Sequence, residues 1–192
     1  MQNIIKKQLD KSIIITGASV TGKTTLCRRL IVHFGLQPIP VHMTRNLRDG
    51  EIANVDGVFI TEEKFKARFL KINYLQDSLE SAYFSGAYYG CPREWITLTN
   101  KGAYRCFVCP TVKMAKKIKE TLGQNIFWIH LTTNKKVRQQ RLMRRNPDMK
   151  KDDFDSRIER GEALVDTTGN DLIIDTSYLN AWEIFFNALT RL

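Results

Sequence analysis

The amino-acid sequence predicts an α/β fold in which a parallel sheet is covered by helices on both faces and interrupted by an inserted segment. Two observations support this prediction. Apolar runs typical of strands alternate with helical segments near both ends of the chain, whereas the middle is polar and rich in turns. Parallel strands need a crossover between them, most often a helix, so this alternation is typical of a parallel sheet.

The first elements are a strand, a helix and an extended segment. "SIIIT" (12–16) is a short β-rich run. In the next segment, 23–34, Leu26, Leu30 and Phe34 recur at fourfold spacing, which predicts a helix that buries one face. Gly35 ends it, and "QPIPVHMTR" returns to extended structure.

The middle of the chain predicts smaller elements. Thr61 is an expected N-cap, with Glu62 and Glu63 in the first turn of a helix near 62–72. "ESAYFSGAYYG" (80–90) predicts a hairpin that turns at Ser85-Gly86, and a helix closed by Gly102 follows.

Strands and helices alternate again in the second half of the chain. A charged loop at 146–153 separates two of the helices. The predicted strands are 105–109, 125–131 and 171–176, and the predicted helices are 112–123, 134–145, 154–165 and 180–192. Trp95, Trp128 and Trp182 lie on apolar faces and are expected in the core.

Composition predicts one compact domain with a small inserted lobe. The chain has 192 residues, of which 43% are hydrophobic, enough for a full core. No run of about 20 apolar residues could span a bilayer, and the first residues lack a secretory signal, so a cytoplasmic location is expected. The four cysteines suggest buried thiols and no disulfide framework, and Cys106 and Cys109 have no second pair to complete a zinc site.

The net charge of +10 favours phosphate-rich partners. Nucleic acid is not an expected partner, because the most basic segment, "NKKVRQQRLMRR", has no aromatic residue on which a base could stack. The sequence does not predict an oligomeric state.

A phosphate-binding loop lies between the first strand and the first helix. "GASVTGKT" fits the pattern G-x-x-x-x-G-K-[ST] at every fixed position. Glycines allow the sharp turn, consecutive backbone N–H groups can face an anion, and the helix N-terminus adds partial positive charge. Lys23 is expected to bridge the outer phosphates, and the Thr24 hydroxyl to bind Mg²⁺, which predicts ATP and Mg²⁺ as cofactors. The residues assigned to this site are Gly17, Ala18, Ser19, Val20, Thr21, Gly22, Lys23, Thr24 and Thr25.

Two further motifs, "MTRNLRDGE" and "LESAYFSGAYYGCPRE", resemble those of the guanylate kinase family. The resemblance extends over most of the chain and implies a P-loop NTPase fold, a three-layer α/β/α core with a parallel sheet. It also implies a division of the chain: 1–35 and 99–192 form the core, 36–98 form a small α+β insert that binds the phosphate acceptor, and a helical lid lies near 134–160.

The resemblance also implies an activity, transfer of the ATP γ-phosphoryl group to a nucleoside monophosphate. Arg45 and Arg48 match the arginines that clamp the acceptor phosphate, and Tyr89 adds a hydroxyl to it. Glu80 matches the carboxylate that reads guanine. Glu51 braces the arginines. Arg145 and Arg157 match the lid arginines, so the catalytic set is Lys23, Arg45, Arg145 and Arg157.

Three departures from the family leave the acceptor open. The family has a D-x-D after the hairpin, whereas the equivalent segment here, "RCFVCPTVK", contains no carboxylate. Gly57 stands where the family has a tyrosine, and Val41 replaces a small hydroxyl residue that helps to read guanine. GMP or dGMP is favoured. The alternatives are another nucleoside monophosphate, a sugar phosphate as in the ribose 1,5-bisphosphate kinases, or a guanylate-kinase-like binding module without catalysis.

Overall fold

The computed structural model describes residues 9–39, 41–48, 50–69, 71, 74, 82–84, 86–95, 104–162 and 168–192. Glu80 and most of the helix predicted near 93–102 lie outside these residues.

A five-stranded parallel sheet forms the centre of the fold, in the strand order β2-β7-β1-β8-β9. Its strands are β1 (Ser12–Gly17), β2 (Gln37–Pro38), β7 (Arg105–Val108), β8 (Ile126–Thr132) and β9 (Leu172–Asp175). β1 lies between β7 and β8, with Ile14 opposite both Phe107 and Trp128. β1 is therefore central, and the loop that follows it leaves from the middle of the sheet.

Helices cover both faces of this sheet, as the sequence predicted. The helices of the described residues are α1 (Lys23–Phe34), α2 (Glu62–Phe69), α3 (Val112–Leu122), α4 (Lys135–Arg145), α5 (Lys151–Glu162) and α6 (Ala181–Leu189). Of these, α2 packs in a separate cluster around Phe65. On one face Ile13 and Ile15 pack with buried residues of α1 and α6, and on the other Ile14 packs with those of α3. The fold is the expected three-layer α/β/α arrangement.

A smaller sheet of mixed direction lies between β2 and β7 in the chain. Its order is β4-β3-β6-β5, and its strands are β3 (His42–Met43), β4 (Val58–Phe59), β5 (Tyr83–Phe84) and β6 (Ala87–Gly90). β5 and β6 pair antiparallel, which agrees with the predicted hairpin. Met43 and Tyr89 pack into the same core as Ile14, so the smaller sheet shares its apolar contacts with the main sheet.

Two expectations were wrong. The second helix of the pair near the C-terminus begins at Lys151, three residues before the predicted start, because Asp152 and Asp153 lie in its first turn and carboxylates are favourable there. Trp182 was expected in the core but is 59% exposed, with Arg29 stacked over its ring.

The cysteine prediction is confirmed, since all four cysteines are buried free thiols. Cys27 and Cys106 lie 3.5 Å apart between α1 and β7. Burial raises the pKa of the Cys106 thiol, and the neighbouring Cys27 raises it further, so Cys106 packs as a small neutral side chain. Among the described helices, none is long and apolar enough to cross a membrane.

Candidate active site

One cavity of about 760 Å³ lies at the carboxyl ends of the parallel strands. Ligands bind in α/β sheets at this edge, where the loops after the strands meet. The loop after β1, the end of β7, the smaller sheet and the helices α4 and α5 all contribute to its wall. The cavity therefore brings together segments far apart in the sequence.

The loop after β1 has the backbone conformation that its glycines predict. Gly17 has φ +143° and Gly22 has φ +98°, and Val20 also has a positive φ of 58°. Seven of the nine residues assigned to this site line the cavity: Gly17, Ser19, Val20, Gly22, Lys23, Thr24 and Thr25. Ala18 and Thr21 are buried behind it, where the Thr21 hydroxyl donates to the Ala18 carbonyl at 3.0 Å and braces the turn.

Lys23 reaches back over its own loop. Its Nζ donates to the carbonyls of Gly17 at 2.8 Å and Ala18 at 2.6 Å. Burial lowers the pKa of Lys23 to about 7, with further contributions from the charges of Arg48 and Arg145. The lysine therefore lies where an anion would stabilise its charged form.

Gly17 permits the close approach between this loop and β8. A Cβ at position 17 would lie 2.3 Å from the Leu131 carbonyl oxygen, and the positive φ is unfavourable for any L side chain. We expect Gly17→Ala to lower the free energy of unfolding by about 1–3 kcal/mol and to abolish measurable ATP binding, because the loop must shift.

Urea unfolding and calorimetric titration with ATP would test the Gly17 prediction. Gly35→Ala is the matched control, because Gly35 also has a positive φ but a Cβ at position 35 would meet no atom within 4 Å. It should lose stability and retain ATP affinity. An equal loss of ATP binding in both variants would contradict the prediction.

Arg45 and Arg48 face the cavity from the far side. Arg45 donates to both carboxylate oxygens of Glu51, at 2.7 and 2.8 Å, and the Arg48 backbone N–H donates to the same carboxylate at 3.0 Å. Burial alone would raise the pKa of Glu51, but these hydrogen bonds and the charges of both arginines lower it overall. Glu51 thus stays ionised and orients the arginines.

One part of the cavity wall is apolar. Val108 and Pro110 line the cavity at the end of β7, in the segment where the family has its D-x-D. Val41 is buried in the core. Gly57 has the Met43 side chain against it, so that a Cβ at position 57 would lie 2.6 Å from Met43 Cε. The three departures from the family thus place apolar groups on or behind this wall.

Of the other residues predicted for the site, three line the cavity and one lies outside the described residues. Tyr89 is buried on the cavity wall. Burial and the charges of Arg45 and Arg157 lower the pKa of Arg48, and the nearby Tyr89 raises it by a smaller amount. Arg145 and Arg157 line the cavity from α4 and α5. Glu80, which is predicted to bind the guanine base of the acceptor, lies outside the described residues.

Sequence reasoning left the role of Arg141 open and did not single out Thr176. Arg141 donates to the Thr176 carbonyl at 2.7 Å and to its hydroxyl at 3.2 Å. The Thr176 hydroxyl in turn lies 3.2 Å from the Thr21 carbonyl and 3.0 Å from the Thr132 carbonyl. Thr176 therefore connects α4 with the loop after β1 and with the end of β8. Such long-range hydrogen bonds leave no local pattern in the sequence.

Arg138 and Gly161 were also missed. Arg138 is only 4% exposed and donates to the Ile158 carbonyl at 2.5 Å, which joins α4 to α5. A Cβ at Gly161 would lie 2.0 Å from Arg138 Nη1 and 2.9 Å from the Ala18 Cβ. The missing side chain at position 161 lets α5 approach the loop after β1, which brings Arg157 to the cavity.

The described cavity wall is strongly cationic. It carries seven cationic side chains, Lys23, Arg45, Arg48, Arg141, Arg144, Arg145 and Arg157, and three carboxylates, Glu51, Asp56 and Asp153. Burial, followed by the charges of Arg45 and Arg157, lowers the pKa of Arg48 to about 10. Like charges held this close raise each other's energy, and bound anions would relieve that repulsion.

The donor groups present suit a triphosphate with Mg²⁺. The Gly17–Thr24 loop supplies backbone donors, Lys23 a cation and Thr24 a hydroxyl at the cavity wall. Among the described residues no group of three or more His, Cys, Asp or Glu side chains could hold a metal by itself. Beside phosphates, Mg²⁺ typically binds through one or two protein ligands together with phosphate oxygens and water.

Comparisons with known proteins agree with this geometry. The family described as guanylate kinase matches residues 9–183. A guanylate kinase from Clostridium perfringens is 30% identical over 149 residues, 77% of this chain and 67% of the relative. One from Prochlorococcus marinus is 32% identical over 155 residues, 80% of this chain and 82% of the relative.

Solved structures agree on the fold. The crystal structure of guanylate kinase from Anaplasma phagocytophilum superposes with a TM-score of 0.66 at 17% identity, over 96% of this chain and 85% of that one. A gluconokinase from Sinorhizobium meliloti gives a TM-score of 0.58 at 15% identity, over 96% and 93% of the two chains. With the family match covering most of the sequence, the chain belongs to the guanylate kinase family.

Proposed function

We propose that this protein transfers the γ-phosphoryl group of ATP to a nucleoside monophosphate, with GMP or dGMP preferred. The observation that carries the proposal is the position of Lys23, Arg48, Arg145 and Arg157 around one cavity, where the charges of Arg48 and Arg145 act on Lys23 and that of Arg157 acts on Arg48. Two phosphorylated substrates would neutralise this cluster. In this proposal the segment 36–98 binds the acceptor and the helices near 134–160 form the lid.

Each residue has a defined role in the proposed reaction. The Gly17–Thr24 backbone holds the β and γ phosphates, Lys23 neutralises them, and Thr24 would hold Mg²⁺. When bound, Mg²⁺ supplies charge neutralisation between the phosphates. Arg45 and Arg48 hold the acceptor phosphate with the Tyr89 hydroxyl, since guanidinium groups match phosphate oxygens through paired hydrogen bonds.

The reaction itself needs little covalent assistance. An oxygen of the acceptor phosphate attacks the γ-phosphorus, the bond to the β–γ bridging oxygen breaks, and ADP leaves. Charge spreads over the transferred group, where Lys23, Arg145 and Arg157 would stabilise it as water is excluded.

A sugar phosphate is the second candidate acceptor, and one feature favours it. Val108 and Pro110 offer no side-chain hydrogen bond at the wall where the family has carboxylates, and the phosphate clamp of Arg45 and Arg48 does not require a base. Glu80 argues for the nucleotide, because a carboxylate can accept from the N1–H and amino group of guanine.

A substrate panel would distinguish these acceptors. ADP release from ATP and Mg²⁺ would be measured with GMP, dGMP, AMP, CMP, UMP and ribose 1,5-bisphosphate, with Lys23→Ala as the blank. We expect the highest kcat/KM with GMP or dGMP, and a loss of at least about 100-fold in Glu80→Ala, because the guanine would lose charge-assisted hydrogen bonds.

Glu63→Ala is the control for Glu80→Ala, because Glu63 is exposed on α2 and does not line the cavity. Turnover on ribose 1,5-bisphosphate alone would replace the nucleotide proposal with the sugar phosphate. No turnover on any acceptor would favour a binding module.

A further inference from the structure

Arg28 joins the helix after the phosphate-binding loop to the segment that carries Arg45 and Arg48. Its Nε lies 3.3 Å from Asp56 Oδ1, and its Nη2 contacts Asp56 Oδ2 and donates to the Gly50 carbonyl at 2.7 Å. The Arg28 and Asp56 side chains are 35% and 11% exposed. One guanidinium thus contacts two points of the segment 44–57, which we call the arginine loop.

The arginine loop is also braced internally. The Ile52 N–H donates to Asp56 Oδ2 at 2.7 Å, and the Asp56 N–H donates to the Ile52 carbonyl at 2.9 Å. Glu51, one residue before Ile52, holds Arg45 and the Arg48 amide. A displacement of Asp56 would therefore move Ile52 and the adjacent Glu51. Through Glu51 it would move both Arg45 and Arg48.

The other end of this connection is the phosphate-binding loop. α1 begins at Lys23, and Arg28 is five residues further, about 7.5 Å along the helix axis at the usual rise per residue. α1 is anchored against the sheet, with Leu26 and Leu30 buried in the core. Arg28 is thus a fixed point close to the donor phosphates.

We propose that the Arg28–Asp56 ion pair is a positioning pair that sets the distance between the phosphate-binding loop and the arginine loop. Neither side chain need touch the reacting atoms. Phosphoryl transfer requires the attacking oxygen near the γ-phosphorus and in line with the leaving oxygen, so a displaced acceptor lowers the rate. This inference rests on the proposed function, because it assigns the two ends of the pair to donor and acceptor.

Steady-state kinetics on charge variants test the pair. We expect Arg28→Glu and Asp56→Arg each to lower kcat/KM for the acceptor roughly 10-fold or more, and to change the KM for ATP by less than about 3-fold, because the pair positions the acceptor while α1 keeps its buried face on the sheet. The double variant, which exchanges the charges, should recover most of the loss. Asp56→Asn is nearly isosteric and tests the charge if a reversal prevents folding.

Lys66→Glu is the control for a change of surface charge, because Lys66 forms an exposed ion pair with Glu62 on α2. It should keep wild-type kinetics. The positioning role is overturned if the Arg28 and Asp56 variants also keep wild-type kinetics, or if the double variant is no better than the singles. It is equally overturned if KM for ATP and acceptor rise together in proportion to a lower Tm, as a merely structural role predicts.

A distance measurement separates this inference from the proposed function. Spin labels would be attached at Val32→Cys on α1 and Ile52→Cys on the arginine loop, two exposed positions outside the cavity wall, while the four native cysteines are buried. We expect a narrow distance distribution that Asp56→Asn broadens, and an unchanged distribution would overturn the positioning pair. Absence of turnover in the wild type would overturn the proposed function, and the label distances would still decide whether the pair holds the arginine loop.

Discussion

Replacing Lys23 with alanine should lower kcat for ADP release by at least about 100-fold, the loss typical of removing one preorganised group that stabilises transition-state charge. The Lys23 Nζ donates to the Gly17 and Ala18 carbonyls of the phosphate-binding loop, so its charge lies against the loop that would hold the phosphates. The measurement is steady-state kinetics at saturating ATP and acceptor. Lys113→Ala, an exposed lysine on α3, is the control and should retain full activity.

Lys23 should also couple ATP binding to proton uptake. Burial and the charges of Arg48 and Arg145 lower its pKa to about 7, so above pH 7 it is largely neutral. A triphosphate favours the charged form and raises this pKa, so binding above pH 7 takes up a proton and affinity falls as the pH rises. Below pH 7 the lysine is already charged and this dependence disappears.

Titration calorimetry at pH 8 in two buffers of different ionisation enthalpy would measure the uptake. The wild type should take up as much as one proton for each ATP bound. In Lys23→Ala the proton uptake should be lower by the amount that Lys23 contributes. Equal proton uptake in the two proteins would show that another group is responsible.

Replacing Arg48 with alanine should reduce kcat/KM for the acceptor by about 100- to 1000-fold, because two charge-assisted hydrogen bonds to a phosphate would be lost. Most of this loss of kcat/KM should appear as a higher KM for the acceptor, while the KM for ATP stays nearly constant. Arg48→Lys should recover only part of the loss, since an ammonium cannot make the paired contact.

Arg68→Ala is the control for Arg48→Ala, because Arg68 is exposed on α2 and does not line the cavity. A KM for the acceptor that stays unchanged in Arg48→Ala, or a KM for ATP that rises equally, would remove Arg48 from the acceptor site.

The sequence predicted the parts of the fold and site that depend on local patterns. The glycine spacing of the G-x-x-x-x-G-K-[ST] pattern predicted the turn between β1 and α1, where Gly17 and Gly22 have positive φ, and Gly35 correctly ended α1. The start of α5 was placed too late because a segment rich in Lys and Asp looks like a loop, although acidic residues favour a helix N-terminus.

Contacts between distant residues could not be predicted in this way. Thr176 and Thr21 are 155 residues apart, and Arg28 and Asp56 are 28 apart. Neither pair has a spacing that marks it, and a serine, threonine or arginine in isolation is most often a surface residue. Trp182 was wrongly placed in the core, because its apolar side chain does not reveal which face of α6 is covered.

Met43 and Gly57 show how one departure from the family is accommodated. A Cβ at position 57 would lie 2.6 Å from Met43 Cε and 3.2 Å from the Val41 carbonyl oxygen. The Met43 methyl group is the end of a flexible side chain, so a larger residue at position 57 requires Met43 to change rotamer. The rotamer of Met43 and the size of residue 57 are therefore coupled, whichever acceptor the present site uses.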